Sequence, residues 1–237
     1  MSFWTILAVF VIAYLIGSIP FGWVIVKLVT GRDIRGIESG RTGGTNAWRA
    51  AGVLAGIFTG VLDVLKGATT VWIARWLIPA STPFFHWIEV AVPLVAILGH
   101  NYSIYLLERS EENGKVRFRG GAGGAACMGG AMGLWTPAIW FILPLGLLIY
   151  LFVGYASVTT MSVAFFAALI FLVKAIQGAL PWEYIAFGII AEIMLIWALR
   201  PNIQRLREGT ERLHGIRVWL KKRAEHKSAS HKNSAAH

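Results

Sequence analysis

Two glycine-rich stretches hold the densest polar chemistry in this sequence. The first reads Ser39-Gly40-Arg41-Thr42-Gly43-Gly44-Thr45-Asn46-Ala47-Trp48-Arg49, and the second Arg119-Gly120-Gly121-Ala122-Gly123-Gly124. Glycines let successive backbone N–H groups point into one concavity, which suits an anion. Hydroxyls such as Ser39 and Thr45, the Asn46 amide and the guanidinium groups of Arg41 and Arg49 add donors, and a guanidinium fork matches phosphate. A helix beginning just after either stretch would turn its positive end toward the same anion. The chemistry these residues suit is the holding of a phosphate-bearing ligand. Each stretch also has an ordinary reading. Gly, Ser, Thr and Asn are common turn residues. Gly120/Gly124 and Gly129/Gly133 have the small-xxx-small spacing of close helix packing. On the residues alone these alternatives stay open.

The elements that must position these stretches are membrane helices. The chain has 237 residues, of which 56% are hydrophobic and 14% charged. A soluble domain of this size would carry about a quarter charged residues. A helix needs about 20 apolar residues to cross the ~30 Å hydrocarbon layer, and backbone groups in lipid must be satisfied internally. The apolar runs predict an all-α membrane protein, a bundle of about seven transmembrane helices over 3–26, 53–78, 87–107, 121–134, 136–153, 157–173 and 181–199. The fourth is short and glycine-rich, a half-span or tilted insert. The first lacks a basic leader and is too long for a cleavable signal, so it reads as a retained span.

Charge sets the orientation. Of 22 Lys and Arg, five lie in 27–52, four in 108–120 and ten from Arg200 onward. The positive-inside rule puts these three segments in the cytoplasm, hence the N-terminus outside and the C-terminus inside. The organisation expected is a transmembrane unit over 1–199, a basic cytoplasmic segment over 200–226 and a disordered tail over 227–237. The net charge of +10 is a topological signal and attracts anionic lipid head groups. Nucleic-acid binding is not expected, because no aromatic residues alternate with the basic cluster at Lys221–Arg223.

Other chemistries lack their residues. The single cysteine, Cys127, can make neither an internal disulfide nor a cysteine metal cluster. The histidines show no ligand spacing, so neither metal nor cofactor is expected. There is no phosphate-binding Gly-x-x-x-x-Gly-Lys-Ser/Thr and no Gly-x-Ser-x-Gly. Asp63 and Lys66, three apart on one helix face, are expected to pair with each other. No internal repeat supports a transporter.

With these residues in place, the chain resembles the PlsY family of bacterial membrane acyltransferases. The likeness runs from Tyr14 to Glu211. It rests on Tyr14-Leu-Ile-Gly-Ser-Ile-Pro-Phe-Gly22, on Ser39-Gly-x-x-Gly-x-Thr45-Asn46-x-x-Arg49-x-x-Gly52, and on Leu62-Asp63-x-x-Lys66-Gly67. It continues through Gly99-His100, Arg119-Gly120-Gly121-x-Gly123, Tyr155-x-Ser157 and Asn202-Ile203-x-Arg205-Leu206-x-x-Gly209. The resemblance implies a seven-helix bundle in the bacterial inner (plasma) membrane with its active site facing the cytoplasm. It implies acyl phosphate and glycerol 3-phosphate as substrates. Ser39, Thr45, Asn46, Arg49, Arg119, Gly120, Gly121, Ser157 and Asn202 would bind them, and Ser39, Arg49 and Asn202 would serve catalysis. No cofactor is implied. Membrane lipids are the other partner, and the oligomeric state stays open, a monomer included.

The chain departs from the family pattern in two motifs. The second motif usually reads Lys-Gly-Gly-Lys-Gly, whereas here Arg119 and Ala122 stand for the lysines. A His usually stands three residues before Asn202, where this chain has Leu199. A charge-assisted hydrogen bond is worth on the order of 1.5–3 kcal/mol. Arg41, Arg119 or Arg200 would have to compensate. The rival reading is a diverged, weakly active or non-catalytic membrane protein that binds a phosphorylated lipid.

Overall fold

The computed structural model describes residues 2–109, 114, 116–218 and 223. Among the described residues, ten α-helices follow one another: α1 (Phe3–Ser18), α2 (Phe21–Thr30), α3 (Gly44–Ala51), α4 (Val53–Leu77), α5 (Phe85–Asn101), α6 (Gly124–Leu134), α7 (Ile139–Phe152), α8 (Ala156–Ile176), α9 (Glu183–Ala198) and α10 (Arg200–Arg207). An antiparallel hairpin, β1 (Leu107–Arg109) with β2 (Val116–Phe118), sits in the second polar loop. Between its strands, 110–113 and 115 fall outside the described residues. The tail from 224 onward does so too.

Among the described residues, four helical stretches are long and apolar enough to cross a membrane: Phe3–Thr30, Val53–Leu77, Phe85–Leu106 and Ala156–Ile176. A fifth would be α9 with α10, which are bent by 67° at Leu199, and two shorter apolar helices complete the set. The first expected span is broken at Ile19–Pro20, since proline has no N–H to continue the α1 ladder. The short fourth segment is an 11-residue helix, α6. At 1.5 Å per residue it runs roughly 16 Å, about half the hydrocarbon layer.

A half-length helix in lipid needs protein on all sides, and α6 has it. Cys127, Ala131 and Leu134 are buried in one core with Val71, Ile97, Ile142, Phe171, Phe187 and Leu195. Glycine brings it close to α4. A methyl group at Gly129 would lie 1.9 Å from the Val64 carbonyl oxygen, and one at Gly67 would lie 2.3 Å from that of Ala126. The C-terminal carbonyls of α6 are also satisfied. The Arg75 guanidinium donates to the oxygens of Gly133 (2.9 Å) and Leu134 (2.8 Å), and it is held by Glu89 at 2.6 Å. Buried Glu89 in turn binds His86 and the Tyr184 hydroxyl. This polar knot fixes one end of α6, so its N-terminal end is presented at a defined place.

Candidate active site

Three helices begin at one cavity of about 510 Å³. Gly43, Gly44 and Thr45 at the start of α3 line it, as do Gly123, Gly124 and Ala125 at the start of α6 and Ala156 and Ser157 at the start of α8. None of the three helices has a side-chain cap hydrogen bond. The first N–H groups of a helix have no internal partner, and the helix dipole is positive there. Gly123 makes the α6 start possible. Its φ of +92° is a left-handed conformation that side chains rarely adopt. Each helix start favours an anion by roughly 0.3–1 kcal/mol, and three of them converge with few cations among them.

The cavity is mostly apolar away from this end. Val53, Ile57 and Gly60 of α4 face Leu143, Gly146 and Leu147 of α7 across it. A smaller cavity of about 280 Å³ lies beside it, lined by Tyr102, Arg119, Gly120, Gly121, Pro201 and Arg205 among others. Ser39, Arg41 and Asn202 belong to both walls, so they form the partition between the two spaces.

The structure distributes the expected site residues as follows. Ser39, Thr45, Asn46, Ser157 and Asn202 line the larger cavity, and Arg119, Gly120 and Gly121 line the smaller. Asn46 is buried, and its amide N–H groups are spent on the carbonyls of Arg41 (2.8 Å) and Ile37 (3.0 Å). It therefore shapes the first loop, while its Oδ1 has no partner among the described residues. Gly120 and Gly121 are also pressed closely against the end of α5. A methyl group at Gly120 would lie 2.3 Å from the His100 carbonyl oxygen, and one at Gly121 1.9 Å from the His100 ring nitrogen Nε2. Arg119 is bound to Glu108 at 2.8 Å, and Glu108 also holds Arg35.

Arg49 stands apart from both cavity walls. It lies half-buried on α3 and faces His214, whose ring stacks on Tyr150 at 5.4 Å, and Tyr150 lines the larger cavity. Burial, and then the charge of Arg49, push the His214 pKa below its ordinary value. The neutral ring thus accepts the Arg49 N–H. The segment after α10 crosses this rim: Arg212 pairs with Glu38, the His214 N–H donates to Gly154, and Arg217 donates to Val153.

Some residues of the site carry little local signal. Arg41 donates from Nη1 to the Gly121 carbonyl (3.1 Å) and from Nη2 to the Ala198 carbonyl (2.5 Å) and Asn202 Oδ1 (3.4 Å). One side chain thereby ties the three polar segments together. The Asn202 amide in turn donates to Glu211 at 3.0 Å. His100 and Asp63 also line the larger cavity. Asp63 pairs with Lys66 at 2.9 Å as its spacing predicts, and His100 Nδ1 lies 3.6 Å from the same carboxylate oxygen. Tyr150 and His214 come from an apolar helix and a basic tail, and only the fold brings them together.

The chain matches the family model described as glycerol-3-phosphate acyltransferase over residues 7–209. It is 36% identical over 215 residues to a glycerol-3-phosphate acyltransferase of Thermus thermophilus, covering 91% of this chain and 96% of that protein. It is 37% identical over 216 residues to one of Staphylococcus haemolyticus, covering 87% and 96%. Among solved structures it is similar to PlsY, an integral membrane glycerol 3-phosphate acyltransferase, in its glycerol 3-phosphate form. The TM-score is 0.73 and the identity 31%, over 91% of this chain and 98% of that one. The lysophosphatidic acid form of PlsY gives a TM-score of 0.70 at 30% identity, over 89% and 95%.

Proposed function

Because this chain belongs to the glycerol-3-phosphate acyltransferase family, we propose that it moves an acyl group from acyl phosphate to the 1-hydroxyl of glycerol 3-phosphate. The products are lysophosphatidic acid and phosphate. The observation that carries this reading is the junction of two cavities at Ser39, Arg41 and Asn202. The acyl chain lies along the apolar walls of α4 and α7, with its phosphate at the three helix starts. Glycerol 3-phosphate enters from the smaller, arginine-lined space.

The reaction requires little beyond placement and charge. The glycerol hydroxyl oxygen attacks the acyl carbonyl carbon, and the bond from that carbon to the phosphate oxygen breaks. The electron pair leaves with phosphate, which is a good leaving group, and a phosphate oxygen accepts the hydroxyl proton. No covalent acyl-enzyme forms. Holding both reactants in line and neutralising their phosphates supplies the rate. Ser39 and Asn202 orient the reacting groups at the partition. Arg49, through His214 and Tyr150, braces the rim.

We place the cavity face in the cytoplasm of a bacterium, on the strength of the basic loops. An odd number of crossings, with α6 as the short one, keeps both polar loops and the basic C-terminal segment on that side. In this arrangement 1–199 forms the membrane-embedded unit and 200–226 completes the site from outside it. A monomer suffices, because both cavities are built within one chain.

The test is turnover. Purified protein in detergent, given acyl phosphate and labelled glycerol 3-phosphate, should release lysophosphatidic acid and phosphate one for one. Arg49→Ala should lower kcat/KM by on the order of 10- to 100-fold, as for a lost charge-assisted contact of about 1.5–3 kcal/mol. Glycerol 3-phosphate binding without any product, under conditions where a relative turns over, would instead favour the non-catalytic reading that rests on Ala122 and Leu199.

A further inference from the structure

Among the described residues, Arg41 is the one Lys or Arg in the wall of the larger cavity, and it is shared with the smaller one. Neighbouring arginines are already neutralised: Arg119 by Glu108, Arg205 by Glu211, Arg35 by Asp33 and Glu108, and Arg212 by Glu38. Arg41 makes no ion pair among the described residues. Its three hydrogen bonds go to two carbonyls and an amide oxygen. A guanidinium has five N–H groups, so Nε–H and one Nη1–H find no partner among the described residues. Burial first, and the charge of Arg205 second, disfavour its cationic form. An arginine stays charged in a protein, so a partly desolvated guanidinium here is a standing attraction for an anion.

Its location adds to this. The two carbonyls it grips, Gly121 and Ala198, immediately precede Ala122 and Leu199. Both of those uncharged side chains lie in the wall of the larger cavity. The guanidinium therefore stands between the two positions where uncharged side chains replace the family's usual cations. We propose that Arg41 is the cation that holds substrate phosphate at the partition, supplying from the first loop the charge that positions 122 and 199 lack. This rests on the acyltransferase reading and deepens it by naming the residue that binds the phosphates.

The experiment measures glycerol 3-phosphate binding calorimetrically with the full chain in detergent micelles, alongside steady-state kinetics and thermal unfolding. Arg41→Gln keeps an amide donor for one carbonyl but removes the charge. It should raise Kd and KM for glycerol 3-phosphate at least tenfold. Adding Ala122→Lys to that variant should bring both back to within about threefold of the parent. A Kd within twofold of the parent in folded Arg41→Gln would overturn the proposal. So would a tenfold loss that Ala122→Lys leaves unchanged, because that would make Arg41 a structural clamp only. If Arg41→Gln does not fold, Arg41→Lys decides. Binding kept within about threefold supports the charge role, and loss of binding in folded protein overturns it. Arg41-dependent binding with no turnover would sink the acyltransferase reading and leave this one standing. Turnover indifferent to Arg41→Gln would do the reverse.

Discussion

Gly120→Ala should lower kcat/KM by on the order of 100-fold, although it adds one methyl group. That methyl would lie 2.3 Å from the His100 carbonyl oxygen and 2.5 Å from that of Asn101. Both are backbone atoms at the end of α5, so the 119–123 loop must move rather than the helix. Three contacts move with it: Gly121 N–H to the His100 oxygen (2.9 Å), Thr42 N–H to the Gly120 oxygen (3.2 Å), and Arg41 to the Gly121 oxygen (3.1 Å). The start of α6 and the Arg41 partition then shift relative to each other. A displacement of about 1 Å in a positioned reaction can cost 10²-fold, or about 2.7 kcal/mol of barrier. Gly36→Ala is the control, since a methyl there meets nothing within 4 Å; its activity should stay within twofold. Steady-state kinetics of the two variants against the parent make the check. Equal activities would remove the loop from the site's geometry.

The second large effect concerns stability. Asp63 and Lys66 face each other at 2.9 Å with side chains only 1% and 3% exposed. Lys66 Nζ also donates to the Ile19 carbonyl at 2.8 Å, and it lies over the Phe21 ring. The pair thus joins α4 to the break between α1 and α2. Removing one partner strands a buried charge, which typically costs about 3–5 kcal/mol, whereas replacing both with apolar groups of similar shape is often near neutral. Asp63→Leu should therefore lower the thermal unfolding midpoint in detergent sharply, because it strands the Lys66 charge. Asp63→Leu with Lys66→Met should recover most of the loss, a non-additivity expected of residues in contact. A double variant no more stable than the single would contradict this account. Activity of the recovered double variant adds a second readout. If it turns over, the carboxylate is structural even though Asp63 lines the cavity.

Much of this architecture is legible in the residues, and its gaps have physical causes. Apolar length marks the membrane segments because lipid imposes one requirement on every backbone group. The start of α6 at the end of the second glycine-rich stretch is readable for the same kind of reason: glycine before an apolar run is a local signal. The start of α3 is not, because that helix begins at Gly44, inside the first stretch, and its residues are largely polar or small. The interruption at Ile19–Pro20 hides inside a continuous apolar run, where hydropathy does not register a missing N–H. The role of Asn46 illustrates a deeper limit. An amide suits phosphate and backbone carbonyls alike, and only the course of the 31–43 loop shows that its donors are spent on Ile37 and Arg41. The glycines at 120 and 121 are equally ambiguous until α5 is seen pressed against them. Arg41, Tyr150 and His214 are brought together by contacts between segments far apart in the chain, which no local spacing encodes. Arg49 has the residue type expected of a phosphate ligand, and its contact with His214 joins residues 165 apart in the chain.

If the three uncapped helix starts hold the phosphate of acyl phosphate and Arg41 holds that of glycerol 3-phosphate, a structure determined with glycerol 3-phosphate and an unreactive acyl-phosphate analogue bound shows both. The expected result is one phosphate at the partition within hydrogen-bonding reach of Arg41, and the other within reach of backbone N–H groups from at least one of the helix starts at Gly44, Gly124 and Ala156. Phosphates bound elsewhere, with these groups left facing an empty cavity, would overturn it.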